Sequence, residues 1–222
     1  MLDIFDILGP VMVGPSSSHT AGAVRIGRMA RTLLGAAPVR AEIGLYGSFA
    51  ETGQGHGTDR ALVAGLLGMA PDDLDIPQSF QLARERGLDF TIAPIRLREA
   101  HPNTAVLTVE DGAGRELTLQ AASTGGGRIR VDRVNGVEVE FTGMFTTLIV
   151  RHQDIAGEVA DMTRELSNAG VNIANMKLCR DRRGGDALTV IETDHPVLPE
   201  TRQVIRNLHG VKAVTYYEKE EG

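Results

Sequence analysis

The stretch TTLIVRHQDIAGEVADMTRELSNAGVNI, residues 146–173, decides the fold of the C-terminal third. Thr146 to Arg151 is a short apolar run of strand length. Ile155 to Asn168 follows with Val159, Met162 and Leu166 at helical spacing, Asp154 at its start, Glu158 in its first turn and Gly170 as its stop. Val171 to Cys179 and Ala187 to Thr193 read as two further strands, and the Arg-Arg-Gly-Gly run ending at Gly185 supplies the turn between them. Pro199 opens a second helix whose stripe is Val204, Ile205 and Leu208, and Gly210 ends it. Val211 to Tyr217 is the last strand. The order β-α-β-β-α-β is the split, ferredoxin-like arrangement.

Working back toward the N-terminus, glycine-bearing loops become more frequent. Thr20 to Leu34 reads as a helix with Ser17 or Ser18 as cap and Gly35 as stop. Arg40 to Gly47 is a strand. Asp59 to Met69, capped by Thr58, and Gln78 to Arg86 are helices, and Leu88 to Ala93 is a strand. Thr104 to Glu110 and Arg115 to Ala121 flank a turn at Asp111-Gly112. Arg128 to Val134 and Val137 to Thr142 flank Asn135-Gly136, a type I′ hairpin signal. These elements predict an α+β chain: a mixed N-terminal domain with a partly antiparallel sheet over residues 1–143, then the ferredoxin-like domain over 144–222.

Composition narrows the function classes. The 222 residues are 42% hydrophobic and 23% charged, with a net charge of -6, so a basic nucleic-acid-binding stripe is not expected. Met1 to Gly14 is apolar but interrupted by Asp3, Asp6, Gly9 and Pro10, which argues against a membrane span or a secretory leader. The single cysteine, Cys179, fits a reducing cytoplasm and cannot by itself hold an iron–sulfur cluster, which usually needs four thiolates.

Four polar loops stand between the regular elements: Gly14-Pro-Ser-Ser-Ser-His-Thr20, Tyr46-Gly-Ser48 continuing to Gly53-Gln-Gly-His-Gly-Thr-Asp59, His101-Pro-Asn-Thr104 and Ser123-Thr-Gly-Gly-Gly127. The first leads into a helix, whose free N–H groups favour an anion. Its three serines and His19 exceed what one cap needs. His56, between glycines, is of the type that titrates near neutrality and serves as a general base. His101 and Asn103 are weaker members of the same set. In the small domain, His152, Asp154, Gly157 and Asn172 form a candidate effector site at a strand-to-helix junction. No pair among His19, His56 and His101 has the close helical spacing of a zinc site, so no metal ligands are assigned.

GPSSSHT, YGS followed by TGQGHGTD, HPNT and STGGG, in that order, resemble the beta subunit of bacterial iron–sulfur L-serine dehydratases. The C-terminal unit is similar to an ACT domain, and the N-terminal part to the allosteric substrate-binding domain of some phosphoglycerate dehydrogenases. The resemblance implies a subunit of an L-serine ammonia-lyase, working with an alpha subunit that carries a [4Fe–4S] cluster, and a homodimer formed through the ACT domain. It makes His56 the candidate base and His19 an orienting residue. Ser16, Ser17, Ser18, Thr20, Thr58, His101 and Asn103 become substrate contacts, and L-serine the small-molecule ligand. ACT domains often carry Asn where this chain has Asp154, which would favour an ammonium over a carboxylate. The alternative is a stand-alone amino-acid-sensing module without catalysis.

Overall fold

The computed structural model describes residues 16–180 and 182–219. The expectations for Met1 to Gly14, and the Gly14-Pro15 opening of the first polar loop, lie outside the described residues. By internal contacts the chain divides into two compact units between Gly136 and Val137. Among the described residues no helix is long and apolar enough to cross a membrane.

The first unit opens with a π-helical turn, Ser17–Ala21, that runs directly into α1 (Gly22–Leu34). Its cap is Ser16, where Ser17 or Ser18 was expected, and the Ser16 hydroxyl accepts the His19 N–H. Ala23, Val24, Ile26, Met29, Ala30 and Leu33 bury the inner face of α1. Gly35 ends it in the left-handed conformation, donating to the Arg31 and Thr32 carbonyls. Strand β1 (Pro38–Tyr46) leads to α2 (Ser48–His56), α3 (Thr58–Leu66) and α4 (Ser79–Glu85). Then come β2 (Asp89–Pro94), β3 (Thr104–Asp111), β4 (Glu116–Gly125) and β5 (Arg128–Val134). The strands of this unit lie in the order β2-β1-β3-β4-β5. Strand β1 is parallel to β2 and antiparallel to β3, and β4 is antiparallel to both its neighbours. The expected mixed sheet is therefore present.

The largest departure from the sequence reading is α2, and Thr58, expected as the cap of α3, is the first residue of that helix, with Gly57 in the cap position. Residues 48–56, expected as part of a glycine loop, form helix α2. Gly53 and Gly55 each weaken a helix by about 1 kcal/mol relative to alanine. Phe49, fully buried, anchors the segment in the core, and tertiary burial overrides that propensity. The helix starts at Gly47, whose φ of 58° with ψ of -127° only glycine adopts without strain.

The second unit holds β6 (Val137–Phe141), β7 (Thr146–Gln153), α5 (Glu158–Asn168), β8 (Ile173–Arg180), β9 (Asp186–Thr193), α6 (Pro199–Arg206) and β10 (Val211–Tyr217). Strands β7 to β10 form one antiparallel sheet in the order β10-β7-β9-β8. That order is the ferredoxin-like arrangement expected from residues 146–217. Leu148, Val150, Ile191 and Val214 of the sheet pack against Met162, Leu166 and Ile205 of the two helices. The turn before β6 is the predicted hairpin turn, with Asn135 at φ 50° and Gly136 at φ 77°.

Candidate functional site

The strand register gathers three of the polar loops at one end of the first unit's sheet, and the Ser16–Thr20 turn joins them through the contacts of His19 with Ser48 and Thr52. Tyr46 at the end of β1 lies beside Thr104 at the start of β3, and Thr104 lies beside Ala122 near the end of β4. The loops are then tied pairwise. A Cβ on Gly47 would meet the Pro102 carbonyl oxygen at 2.6 Å, so the 46–48 and 101–104 segments touch backbone to backbone. The Ser123 N–H donates to the Asn103 carbonyl at 2.9 Å. Arg25 Nη1 of α1 donates to the Gly127 carbonyl at 2.8 Å. The Ser-Thr-Gly-Gly-Gly loop can take this course because Gly125, Gly126 and Gly127 all have positive φ, at 96°, 59° and 73°.

At the centre sits His19, 9% exposed. Its Nδ1 lies 3.2 Å from Ser16 Oγ and 3.4 Å from Ser18 Oγ. Its Nε2 lies 3.1 Å from Thr52 Oγ1 and 3.3 Å from Ser48 Oγ. The ring packs edge-on against Phe49 and, at 5.0 Å between centroids, against His56. His56 is the last residue of α2 and is exposed, so it faces solvent while His19 lies buried beside it. Thr20 and Thr58 are buried, and their hydroxyls have no hydrogen-bond partner among the described residues. The Ser123 hydroxyl is in the same condition. Such groups normally find a partner, and a polar ligand or water is one way to supply it. His101 is held by a local turn: its Nδ1 accepts the Asn103 N–H at 3.1 Å, and Thr104 Oγ1 donates to its carbonyl.

Burial, reinforced by the charge of the adjacent His56, lowers the His19 pKa from 6.5, while a hydrogen bond at the Ser48 backbone opposes the shift. An unfolded chain then binds a proton at this position more readily than the folded one. The stability associated with His19 is complete above pH 6.5 and falls as the pH drops through the lower folded value. Urea midpoints measured on either side of that window should fall with acidification, and His19→Gln should reduce the fall. An equal decline in wild type and variant would contradict this.

Sequence reasoning missed Ser48 and Thr52 as partners of His19. The spacing Ser48, Thr52, His56 is i, i+4, i+8 and marks one helical face, but it carries meaning only once α2 is known to be a helix. Phe49 also lines a cleft of about 330 Å³ with Leu45, Gly53, Asp59, Phe80 and Phe90. That cleft is mostly apolar and holds none of the predicted substrate contacts.

Residues 1–89 match the family of serine dehydratase beta chains, and residues 146–210 match the ACT domain family. Over 212 residues, 96% of this chain and 96% of the other, the sequence is 41% identical to the probable L-serine dehydratase beta chain of Bacillus subtilis. The chain belongs to the L-serine dehydratase beta-chain family. It is also 34% identical to the L-serine dehydratase beta chain of Peptoniphilus asaccharolyticus over 96% of this chain and 97% of that one. It is 30% identical to L-serine dehydratase TdcG of Escherichia coli, covering 84% of this chain and 46% of that protein.

Within this beta chain the ACT domain treats its four candidate effector residues differently. His152 is 1% exposed, and both its ring nitrogens are engaged, with the Gln153 carbonyl and Thr189 Oγ1, each at 2.8 Å. Asp154 does not cap α5, which begins at Glu158 with Gly157 as its cap residue at φ 100°. Its carboxylate instead accepts the Gly184 N–H and Arg180 Nη1 at 2.9 Å each. Those bonds, the Gly184 N–H foremost, hold its pKa below the usual carboxylate range. Asp154 therefore pins the β8–β9 turn. Asn172 donates to Asp194 at the other end of the sheet. The register sets His152 beside Ala187 and Ile173 beside Thr193, about 20 Å apart at the usual rise per strand residue.

Proposed function

We propose that this chain is the beta subunit of an L-serine ammonia-lyase, converting L-serine to pyruvate and ammonia together with an alpha subunit that holds a [4Fe–4S] cluster. The observation that carries the reading is the pair of histidines, His19 and His56, at 5.0 Å amid four polar loops that lie far apart in sequence. In this reading His56 takes the Cα proton of serine. His19 orients the substrate, and Ser16, Ser17, Ser18, Thr20 and Thr58 surround its polar head, with His101 and Asn103 on the facing loop. The small domain has a narrower claim on an effector, because His152 and Asp154 are committed to internal bonds and Asn172 lies remote from them. Pairing of ACT domains into a dimer is supported at β8, an edge strand on which Met176 and Leu178 remain exposed.

The donor set of this chain does not fit the cluster. Its sequence holds a single cysteine, and the described residues contain no group of three or more potential ligands. The cluster, when bound by the partner, supplies a Lewis acid for the serine hydroxyl and carboxylate. A reducing cytoplasm suits both the cluster and the free Cys179.

The test is co-expression with a cysteine-rich alpha chain and purification without oxygen. Pyruvate should form from L-serine in the complex and in neither chain alone. A complex that assembles with its cluster yet makes no pyruvate would overturn the proposal, as would turnover by the isolated 222-residue chain.

A further inference from the structure

Thr52 has no role in the proposed reaction, yet its hydroxyl makes the shortest hydrogen-bond contact to the ring of the central histidine. Its hydroxyl has one proton. The Ser48 carbonyl, 2.8 Å away and one turn back along α2, can only accept, so for Thr52 to make both contacts at once its proton must go there. Toward His19 Nε2, at 3.1 Å, Thr52 Oγ1 therefore presents a lone pair. An unprotonated Nε2 would then set two lone pairs against each other at the shortest hydrogen-bond contact of the ring. We infer that Thr52 is a positioning residue: it fixes His19 as the neutral imidazole with its proton on Nε2 and its lone pair on Nδ1.

The other side of the ring agrees. Nδ1 faces two hydroxyls, Ser16 Oγ and Ser18 Oγ, which lie 3.3 Å from each other. Either can donate to Nδ1 while the other donates to its neighbour, so both protons are used within the loop. Ser16 Oγ also accepts the His19 N–H. The hydrogen-bond chain then runs in one direction, from the serine loop through His19 and Thr52 to the backbone of α2. The lowered His19 pKa keeps the ring uncharged near neutrality, so the tautomer matters. Two consequences follow, and both rest on the enzymatic reading. His19 is not a free proton carrier at Nε2, which leaves the adjacent His56 to move the proton. Ser16 and Ser18 turn oxygen lone pairs outward, suited to the ammonium or hydroxyl of an amino acid. The carboxylate is left to other donors, such as the backbone N–H groups of the loop.

The experiment has two arms. In the first, the full chain is labelled with nitrogen-15 in its histidines, and the ring nitrogens are read by long-range proton–nitrogen correlation, with His19→Gln identifying the His19 signal. Wild type and Thr52→Ser should show the Nε2–H tautomer. Thr52→Val, which keeps the shape and removes the hydroxyl, should show a mixture. An Nδ1–H tautomer in the wild type, or an unchanged signal in Thr52→Val, overturns the assignment. In the second arm, Thr52→Val in the complex with the alpha chain should lose about tenfold in kcat, the scale of a lost partner that orients a histidine. Thr52→Ser should restore most of it, and a Thr52→Val complex as fast as wild type removes the positioning role. A wild-type complex without activity counts against the enzymatic reading, while the tautomer signal still decides the role of Thr52.

Discussion

Gly65→Ala should cost about 3 kcal/mol or more of stability, at or beyond the upper end for inserting one methyl group into a packed interior. Gly65 lies on α3 where it crosses α1, and Gly27 of α1 faces it. A Cβ on Gly65 would sit 2.1 Å from the Val24 carbonyl oxygen, 2.8 Å from the Arg28 nitrogen and 2.9 Å from the Gly27 Cα. All three are backbone atoms, so no side chain can swing aside and the helices must separate. Gly27→Ala should behave alike, its Cβ meeting the Leu62 carbonyl oxygen at 2.3 Å. The control is Gly55→Ala in α2. There a Cβ meets nothing within 4 Å and the residue is helical with ordinary φ, so stability should hold or rise by up to about 1 kcal/mol. Urea midpoints of the three variants give the answer, and a Gly65→Ala chain as stable as wild type would refute the close crossing. The expected loss also reaches the site, because α1 carries the Ser16–Thr20 turn and α3 begins at Thr58.

The same crossing shows where sequence reading succeeds and where it stops. In residues 146–217 local signals agree with one another: Val159, Met162 and Leu166 repeat on one face, Gly170 closes the first helix, and the strands are apolar and short, although the second helix ends at Arg206, before the expected stop at Gly210. The ferredoxin-like order could be written from them directly. Helix α2 could not, because its glycines argue for a loop and its stability comes from Phe49, buried by residues distant in sequence. The bonds of Asp154 were not legible for a related reason: its partners, Arg180 and Gly184, lie 26 and 30 residues away across the β8–β9 turn, and no local pattern couples them to it. The four polar loops were visible as motifs. Their convergence was not, since it follows from the strand register that aligns Tyr46, Thr104 and Ala122 and from the side-chain contacts of His19 with α2.

His56→Ala should lower kcat of the assembled enzyme by about 10²- to 10⁴-fold, the usual contribution of a general base, while leaving the protein folded and able to bind its partner chain. The two histidines differ in what a substitution removes. His56 is exposed at the end of α2, so truncating it empties little of the core. His19 is buried with four hydroxyl contacts and two aromatic neighbours, so truncating it strands polar groups and should reduce stability and turnover together. The diagnostic result is therefore a separation. His56→Ala should give normal urea midpoints, normal assembly and very slow pyruvate formation, with KM for L-serine changed far less than kcat. A group that acts only in the transition state produces that pattern, and one that only binds substrate raises KM instead. Should His56→Ala keep full turnover, the proton must leave through another group on this face of the sheet. The exposed imidazole beside His19 would then be a binding contact and not the base.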